Sequence, residues 1–186
     1  MGPVRVLINM RWIGWGLLAV VVIVGLGALL SSAPKGDVQI SGSVALGEPA
    51  PDITMTDFDG DRFELSDFEG KPLVVNFWAS WCPNCIAEMP DFEKVHQATE
   101  GEIGFLGINQ SDARGPAENL ARQTGVTYRL AVDPQGEIFQ TFGAQGMPTT
   151  VFIDASGNVV DVVVGQLSED TLTGYIERSF PDRDAG

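Results

Sequence analysis

The chain is poor in the side chains that usually bind metals. Its 186 residues contain two cysteines, Cys82 and Cys85, and one histidine, His96. A structural zinc site takes about four cysteine or histidine ligands, so these three residues do not complete one. Covalent haem attachment requires a histidine directly after the second cysteine, and Ile86 stands there. We therefore expect neither a metal nor a haem, and the two cysteines need another explanation.

Acidic residues are missing from the beginning of the chain. None precedes Asp37, and the first 34 residues carry only two charged side chains, Arg5 and Arg11. Residues 35–186 hold 9 of the 11 basic and all 25 acidic side chains, a net charge of −16. Because such a surface repels phosphates, we expect no nucleic-acid partner.

Charge is also absent from the 19 residues between Trp12 and Leu30. As a helix this run would span roughly 28 Å, close to the hydrocarbon thickness of a bilayer. The arginines before it predict a single-pass protein of the cell membrane, with a cytoplasmic N-terminus and an extracytoplasmic C-terminal domain. A cleaved signal sequence is the alternative, because the small residues at 31–33 resemble a cleavage site. The length of the run and Pro34 after that site favour an uncleaved anchor.

The chain is therefore predicted to have five parts. They are a cytoplasmic N-terminus at 1–11, a transmembrane anchor at 12–32, a linker at 33–45, a folded domain at 46–181 and a tail at 182–186.

The exported region has the pattern of an α/β domain. Asp59-Gly60 predicts a hairpin with strands near 53–56 and 62–65, followed by a helical turn that Ser66 opens. The apolar run at 73–78 predicts a buried central strand. Further strands are expected at 103–109, 128–133, 149–154 and 159–165, and helices at 83–99, 115–125, 137–143 and 168–180. Strands alternating with helices imply a mixed sheet with helices on both faces.

The spacing of the two cysteines predicts a redox pair. A strand that ends at Trp78 and a helix that starts at Pro83 would place Cys82 at the helix N-terminus. Free N–H groups and the helix dipole stabilise a thiolate there. Cys85 lies one turn further in, where it can close a disulfide with Cys82. We therefore expect Cys82 to attack a substrate disulfide and Cys85 to resolve the mixed disulfide.

Five further features of the sequence belong together: "APD" at 50–52, "GKPLVVNFWASWCPNC" at 70–85, "EMP" at 88–90, "GMPTTVFID" at 146–154 and the glycine at 165. With these motifs the sequence resembles the membrane-anchored, extracytoplasmic thiol–disulfide oxidoreductases of the TlpA/ResA/DsbE type. The likeness covers about residues 45–180. The resemblance implies a thioredoxin-like α/β fold with a mixed central sheet and helices on both faces, preceded by an N-terminal β-hairpin and one transmembrane helix.

The resemblance also implies roles for individual residues. Pro148 matches the cis-proline that faces the cysteine pair, and the backbone at Met147 would bind the substrate chain as an added strand. Trp81 would form a rim of the substrate site. Glu88 matches an acidic residue that shuttles a proton to or from the second cysteine; a solvated helix carboxylate is the alternative. The pair between the cysteines, Pro83 and Asn84, would tune the reduction potential.

Two positions depart from related proteins. General thioredoxins have a buried aspartate in the strand before the cysteines, where this chain has Asn76, which leaves Glu88 as the remaining proton carrier. Members dedicated to cytochrome c often have a glutamate after the cis-proline, where this chain has Thr149.

The resemblance implies a reductant of disulfides in exported proteins, such as apocytochrome c or copper-site proteins. Electrons would come from a membrane thiol donor, and the Cys82–Cys85 disulfide would need no cofactor. A disulfide-inserting oxidase or isomerase is the main alternative, because only the reduction potential separates it from a reductant. A copper chaperone of this fold would need a distal histidine as a ligand, and residues 100–186 contain none. A peroxidase of the peroxiredoxin type would need its reactive cysteine in a different setting.

Overall fold

The computed structural model describes residues 44–181. The expected cytoplasmic segment, membrane anchor, most of the linker and the tail lie outside these residues. Between residues 44 and 181, no helix has both the length and the apolar character that crossing a membrane requires.

The described residues form seven strands, four α-helices and one short 3-10 helix. Along the chain these are β1 (Thr54–Thr56), β2 (Arg62–Glu64), the 3-10 helix (Leu65–Phe68), β3 (Leu73–Trp78), α1 (Pro83–Ala98), β4 (Gly104–Gln110), α2 (Arg114–Thr124), β5 (Arg129–Asp133), α3 (Glu137–Thr141), β6 (Thr149–Ile153), β7 (Val159–Val164) and α4 (Glu169–Ser179). The predicted order of strands and helices is confirmed.

The β1–β2 hairpin forms where the sequence predicts it. Its strands pair antiparallel, and the carboxylate of Asp57 accepts the N–H groups of Asp59 and Asp61 at 2.9 Å each, which shapes the turn. Gly60 has φ of +94°, a conformation that favours glycine. The helical turn that follows begins at Leu65, so the prediction that Ser66 opens it is wrong. Ser66 lies inside this turn.

The central sheet has the strand order β5-β4-β3-β6-β7. Strands β3, β4 and β5 run parallel, and β6 and β7 pair antiparallel. Strand β3 is in the middle, and all six of its residues are buried, as its apolar run predicts. Because β3, β4 and β5 are parallel, the loops that follow them leave the same edge of the sheet, and this edge carries the cysteines.

Helices cover both faces of this sheet, as expected. Alternate residues of β3, such as Val75 and Phe77, pack on the face covered by the β1–β2 hairpin and α3. On the opposite face, Val74 and Trp78 pack among residues of α1, α2 and α4. The mixed sheet with helices on both faces therefore matches the fold class that the sequence implies.

The predicted ends of two helices are confirmed in detail. Gly125 ends α2 with φ of +72°, and its N–H donates to the carbonyl of Ala121. Ser168 caps α4 by accepting the N–H of Thr171 through its hydroxyl. His96 on α1 lies half-buried against the rings of Phe105 and Tyr128.

Candidate active site

The two cysteines form a disulfide at the N-terminus of α1. After β3 the chain makes a tight turn in which the N–H of Cys82 donates to the carbonyl of Ala79 at 3.2 Å. Cys82 is the N-cap of the helix, and its Sγ accepts the N–H of Cys85 at 3.2 Å. Pro83 occupies the first helical position, where its lack of an N–H costs nothing. The expected position of Cys82 at a helix N-terminus is therefore confirmed.

The two sulfur-bearing residues differ in their access to solvent. Cys82 is 5% exposed and Cys85 is 0% exposed. Cys82 also lines a groove of about 460 Å³ on the protein surface. A molecule in this groove meets Cys82 first, while Cys85 lies behind it on the helix.

The groove beside Cys82 is lined by aromatic, apolar and amide side chains. Trp81 forms one wall and is 59% exposed, an unusual fraction for a tryptophan. The lining residues are Trp81, Cys82, Pro83, Asn84, Gln110, Phe139, Gln145, Gly146 and Met147. Within the described part of the chain, this lining contains no lysine, arginine, aspartate or glutamate, although residues 35–186 carry a net charge of −16.

The loop opposite the cysteines contains a cis peptide bond between Met147 and Pro148. The cis geometry that the resemblance implies is therefore present. Met147 packs against the cluster that holds both cysteines. Pro148 is buried, and its carbonyl accepts the N–H of Gly165 at 2.9 Å, which ties this loop to the end of β7.

Glu88 lies one turn beyond Cys85 and is 0% exposed. Its Oε1 accepts the side-chain N–H of Asn76 at 2.8 Å, and its Oε2 accepts the backbone N–H of Leu167 at 3.0 Å. Burial raises the pKa of Glu88 to about 7, because these two hydrogen bonds only partly offset the loss of water around the carboxylate. The alternative of a solvated helix carboxylate is therefore wrong.

Asn76 occupies the middle of β3 and is buried beside Glu88. Its side-chain N–H groups donate to Glu88 and, at 3.3 Å, to the hydroxyl of Thr150 on the neighbouring strand. An asparagine side chain does not ionise, so Asn76 orients the carboxyl group of Glu88 but does not take up or release a proton.

Sequence reasoning missed four residues near the cysteines. Gln110, Phe139 and Gln145 line the groove, and Asp112 accepts hydrogen bonds from the loop that precedes Cys82. One available signal was topological. Gln110 and Asp112 come at and just after the end of a strand parallel to β3, and the carboxyl ends of parallel strands share one edge of a sheet.

The disulfide is the redox group of this site. Across residues 44–181, no group of three or more histidine, cysteine, aspartate or glutamate side chains is placed to hold a metal ion. The chemistry that the arrangement supports is exchange at sulfur, beside the carboxyl group of Glu88, whose pKa burial raises to about 7.

Comparison with known proteins agrees with this geometry. The family model described as Redoxin matches residues 45–176. The chain belongs to the Redoxin family. The thiol-disulfide oxidoreductase ResA of Bacillus thuringiensis (strain Al Hakam) is 30% identical over 137 residues, which are 73% of this chain and 79% of that protein. ResA of Bacillus subtilis (strain 168) is 28% identical over 145 residues, 77% of this chain and 81% of ResA.

Solved structures show the same fold. A thiol:disulfide interchange protein of the thioredoxin family from Chlorobium tepidum has a TM-score of 0.65 at 31% identity, covering 73% of this chain and 97% of that one. A secreted disulfide oxidoreductase of Mycobacterium tuberculosis has a TM-score of 0.63 at 28% identity, covering 68% of this chain and 95% of that one. This member of the Redoxin family is therefore a thiol–disulfide oxidoreductase with a thioredoxin-like fold.

Proposed function

We propose that this chain reduces disulfides in exported proteins through a dithiol–disulfide cycle of Cys82 and Cys85. The observation that carries the proposal is the placement of the pair at the N-terminus of α1 with only Cys82 on the groove. The resemblance to the TlpA/ResA/DsbE type supports the reducing direction.

In the first step the reduced protein attacks its substrate. The Cys82 thiolate forms a bond to one sulfur of a substrate disulfide, the substrate S–S bond breaks, and the other substrate sulfur leaves as a thiolate that takes up a proton. The helix N-terminus stabilises the attacking thiolate, and the N–H of Cys85 already points at Cys82 Sγ. The product of this step is a mixed disulfide between Cys82 and the substrate.

In the second step Cys85 releases the substrate. Its thiol loses a proton and attacks Cys82 Sγ, the mixed disulfide breaks, and the second substrate sulfur leaves as a thiolate. Two electrons have then passed to the substrate, and Cys82–Cys85 is again a disulfide. Glu88 is our candidate for the proton acceptor, because it is buried one turn from Cys85 and the pKa of its carboxyl is raised to about 7 by burial.

The groove supports a role in holding the substrate. Trp81 and Met147 line it, and we expect the backbone of Met147, next to the cis-proline, to pair with an extended substrate chain. Pro83 and Asn84 lie on the exposed first turn between the cysteines, where we expect them to set the reduction potential.

We place the folded domain outside the cytoplasm, joined to the membrane by the apolar segment at 12–32. The N-terminus of the chain, residues 1–11, then lies in the cytoplasm. Electrons then have to reach the disulfide from a thiol donor in the membrane. Apocytochrome c and copper-site proteins are the candidate substrates, because both present cysteine pairs that must be reduced before their cofactor or metal binds.

The reduction potential tests the direction of electron flow. The full-length chain is equilibrated in graded dithiothreitol and glutathione redox buffers, which together cover both potentials below, and the fraction of reduced Cys82–Cys85 is counted by alkylation and mass spectrometry. A potential near or below that of thioredoxin, about −270 mV, supports a reductant. A potential near that of DsbA, about −120 mV, would overturn it and favour a protein that inserts disulfides. The Cys82→Ser variant, which cannot form the disulfide, gives the baseline.

A further inference from the structure

The loop after β4 contacts the turn that precedes Cys82. The carboxylate of Asp112 accepts the backbone N–H of Ser80 at 2.5 Å and the hydroxyl of Ser80 at 2.9 Å. Ser80 stands two residues before Cys82 and 32 residues before Asp112. The two contacts therefore tie the turn after β3 to the end of the neighbouring parallel strand.

Asp112 is itself held in place by its own segment. Its carboxylate also accepts the side-chain N–H of the buried Asn109 at 3.1 Å and the backbone N–H of Ala113 at 2.7 Å. Partial burial opposes ionisation, but the hydrogen bonds from Ser80, Asn109 and Ala113 together lower the pKa of Asp112 below its ordinary value. The group is thus an acceptor at every pH at which thiols react.

Ser111, which precedes Asp112, contacts Trp81, which follows Ser80. The carbonyl of Ser111 accepts the indole N–H of Trp81 at 3.3 Å. Ser111 has φ of +47°, a left-handed conformation that costs a non-glycine residue about 1 kcal/mol. Its N–H donates to the carbonyl of Asp133 at 2.9 Å, which fixes that conformation. Both residues directly before Cys82 are therefore held by one short segment, 111–112.

We propose that Asp112 is a positioning residue of the thiol–disulfide site, which fixes the Ser80–Trp81 turn and thereby holds Cys82 at the N-terminus of α1. This inference rests on the proposed function, because it assumes that Cys82 is the attacking sulfur. The link is direct along the chain, since the same turn is closed by the N–H of Cys82 on the carbonyl of Ala79. With the turn released, Cys82 Sγ moves away from the N–H groups that stabilise its thiolate.

The sign of one measured change separates this role from a purely electrostatic one. A carboxylate that acts only through its charge repels a thiolate, so its removal would lower the pKa of the Cys82 thiol. A carboxylate that holds the turn has the opposite effect, so its removal raises that pKa. A residue that only stabilises the fold leaves the pKa of Cys82 where it is.

The test is the pH dependence of Cys82 alkylation in the reduced, full-length chain with Asp112→Ala. We expect the pKa of Cys82 to rise by about half a unit to one unit, which moves the midpoint of the alkylation curve to higher pH by the same amount. Ser80→Ala, which loses only the hydroxyl contact, should shift the pKa in the same direction by less. Ser80→Thr keeps the hydroxyl and should restore the wild-type value.

Asp154 offers a matched control. Its carboxylate also accepts two backbone N–H groups of a turn, those of Ser156 and Asn158 at 2.9 Å each, but in the loop between β6 and β7 at the opposite edge of the sheet. Asp154→Ala should lower the stability of the fold and leave the pKa of Cys82 unchanged.

An unchanged or lowered pKa of Cys82 in Asp112→Ala, or an equal shift in Asp154→Ala, overturns the inference. If Asp112→Ala does not fold, Ser80→Ala and its threonine counterpart decide by the same measurement. Exchange of the wild-type chain with a small aromatic disulfide is measured alongside. A wild type that fails to exchange with this disulfide refutes the proposed function. If the wild type exchanges normally and the pKa of Cys82 is the same in Asp112→Ala, only the role of Asp112 is refuted.

Discussion

Asn76 donates a hydrogen bond of 2.8 Å to Glu88, joining the central strand of the sheet to the helix that carries both cysteines. Both residues are buried from solvent. The pair therefore places a carboxyl group, whose pKa burial raises to about 7, in the interior next to Cys85. Because the partner is an amide, Glu88 is the group of this pair that can gain or lose a proton.

The first prediction concerns Glu88→Gln and the pH dependence of stability. A carboxyl group whose pKa is raised on folding binds its proton more tightly in the folded state, so stability is lost as pH rises from the ordinary value towards the raised one. The rise from 4.5 to about 7 corresponds to about 3 kcal/mol. The stability advantage of the wild type relative to Glu88→Gln should therefore fall by about that amount between pH 4.5 and pH 8. Urea unfolding of both oxidised proteins across this range measures the difference.

Parallel stability curves for the two proteins would contradict the raised pKa of Glu88. Asp91→Asn serves as a control, because Asp91 lies on the same helix and its hydrogen bond from Lys94 lowers the pKa of its carboxyl. Because Asp91 is ionised in both states above its ordinary pKa, the stability difference between Asp91→Asn and the wild type should stay the same between pH 4.5 and pH 8.

The second prediction concerns Asn76→Asp, which would put a second carboxyl group within hydrogen-bond distance of Glu88. Two buried carboxylates this close cannot both ionise readily, so the pair should titrate in two steps with one apparent pKa well above 7. We expect a loss of about 2 kcal/mol or more in the free energy of unfolding at pH 8, and a smaller loss at pH 5. Urea unfolding and carboxyl carbon NMR titration report the two effects.

Asn119→Asp is the matched control for this change. Asn119 lies exposed on α2 and accepts a hydrogen bond from Arg122. A carboxylate at this position would therefore face a positive charge in solvent and no buried carboxylate. Its stability should change by less than about 0.5 kcal/mol. Equal effects of the two substitutions would show that burial beside Glu88 is not the cause.

The site could be predicted from the sequence where its parts are neighbours in the chain. The apolar run of β3, the cysteine spacing and Pro83 together define a strand, a turn and a helix start within a dozen residues. The burial of Glu88 could not be decided in this way. Helical spacing places it on the same side as Cys85, but the backbone that closes over it comes from Leu167, 79 residues later.

Contacts between distant segments explain the other omissions. Asp112 meets Ser80 across 32 residues and Glu93 meets Thr127 across 34 residues, and no periodic pattern marks either pair. Ser66 shows the converse, because serine is a common helix cap and yet the turn begins one residue before it, at Leu65. Local sequence patterns were enough to predict the strands and helices. Which polar side chains contact each other depends on how the strands are arranged in the sheet.

The third prediction concerns Glu93, a buried carboxylate that ties α1 to the segment before β5. It accepts the N–H and the hydroxyl of Thr127 and the side-chain N–H of Gln97, each at 2.7 Å. Burial opposes its ionisation, but these hydrogen bonds lower its pKa. Glu93→Ala should reduce the free energy of unfolding by about 1.5–3 kcal/mol, because it removes the charged acceptor of three hydrogen bonds that join α1 to Thr127 and Gln97.

Its control is Glu118→Ala, which removes a carboxylate paired with Arg114 and Arg122 at the surface. Such pairs contribute at most about 1 kcal/mol, so this variant should unfold at nearly the wild-type urea concentration. Both variants should keep the wild-type reduction potential. A shifted potential in Glu93→Ala would mean that this contact reaches the cysteine pair.

The fourth prediction separates the roles of the two cysteines. Cys85→Ser keeps the attacking sulfur on the groove and removes the one that resolves the mixed disulfide, so it should accumulate a covalent adduct with a peptide that contains an internal disulfide. Cys82→Ser should accumulate little, because Cys85 is 0% exposed and only Cys82 lines the groove. Non-reducing electrophoresis and mass spectrometry measure the adduct and identify the sulfur that carries it. An adduct of equal yield on Cys85 would show that both sulfurs are accessible, and the order of attack and resolution would then have to be reversed or abandoned.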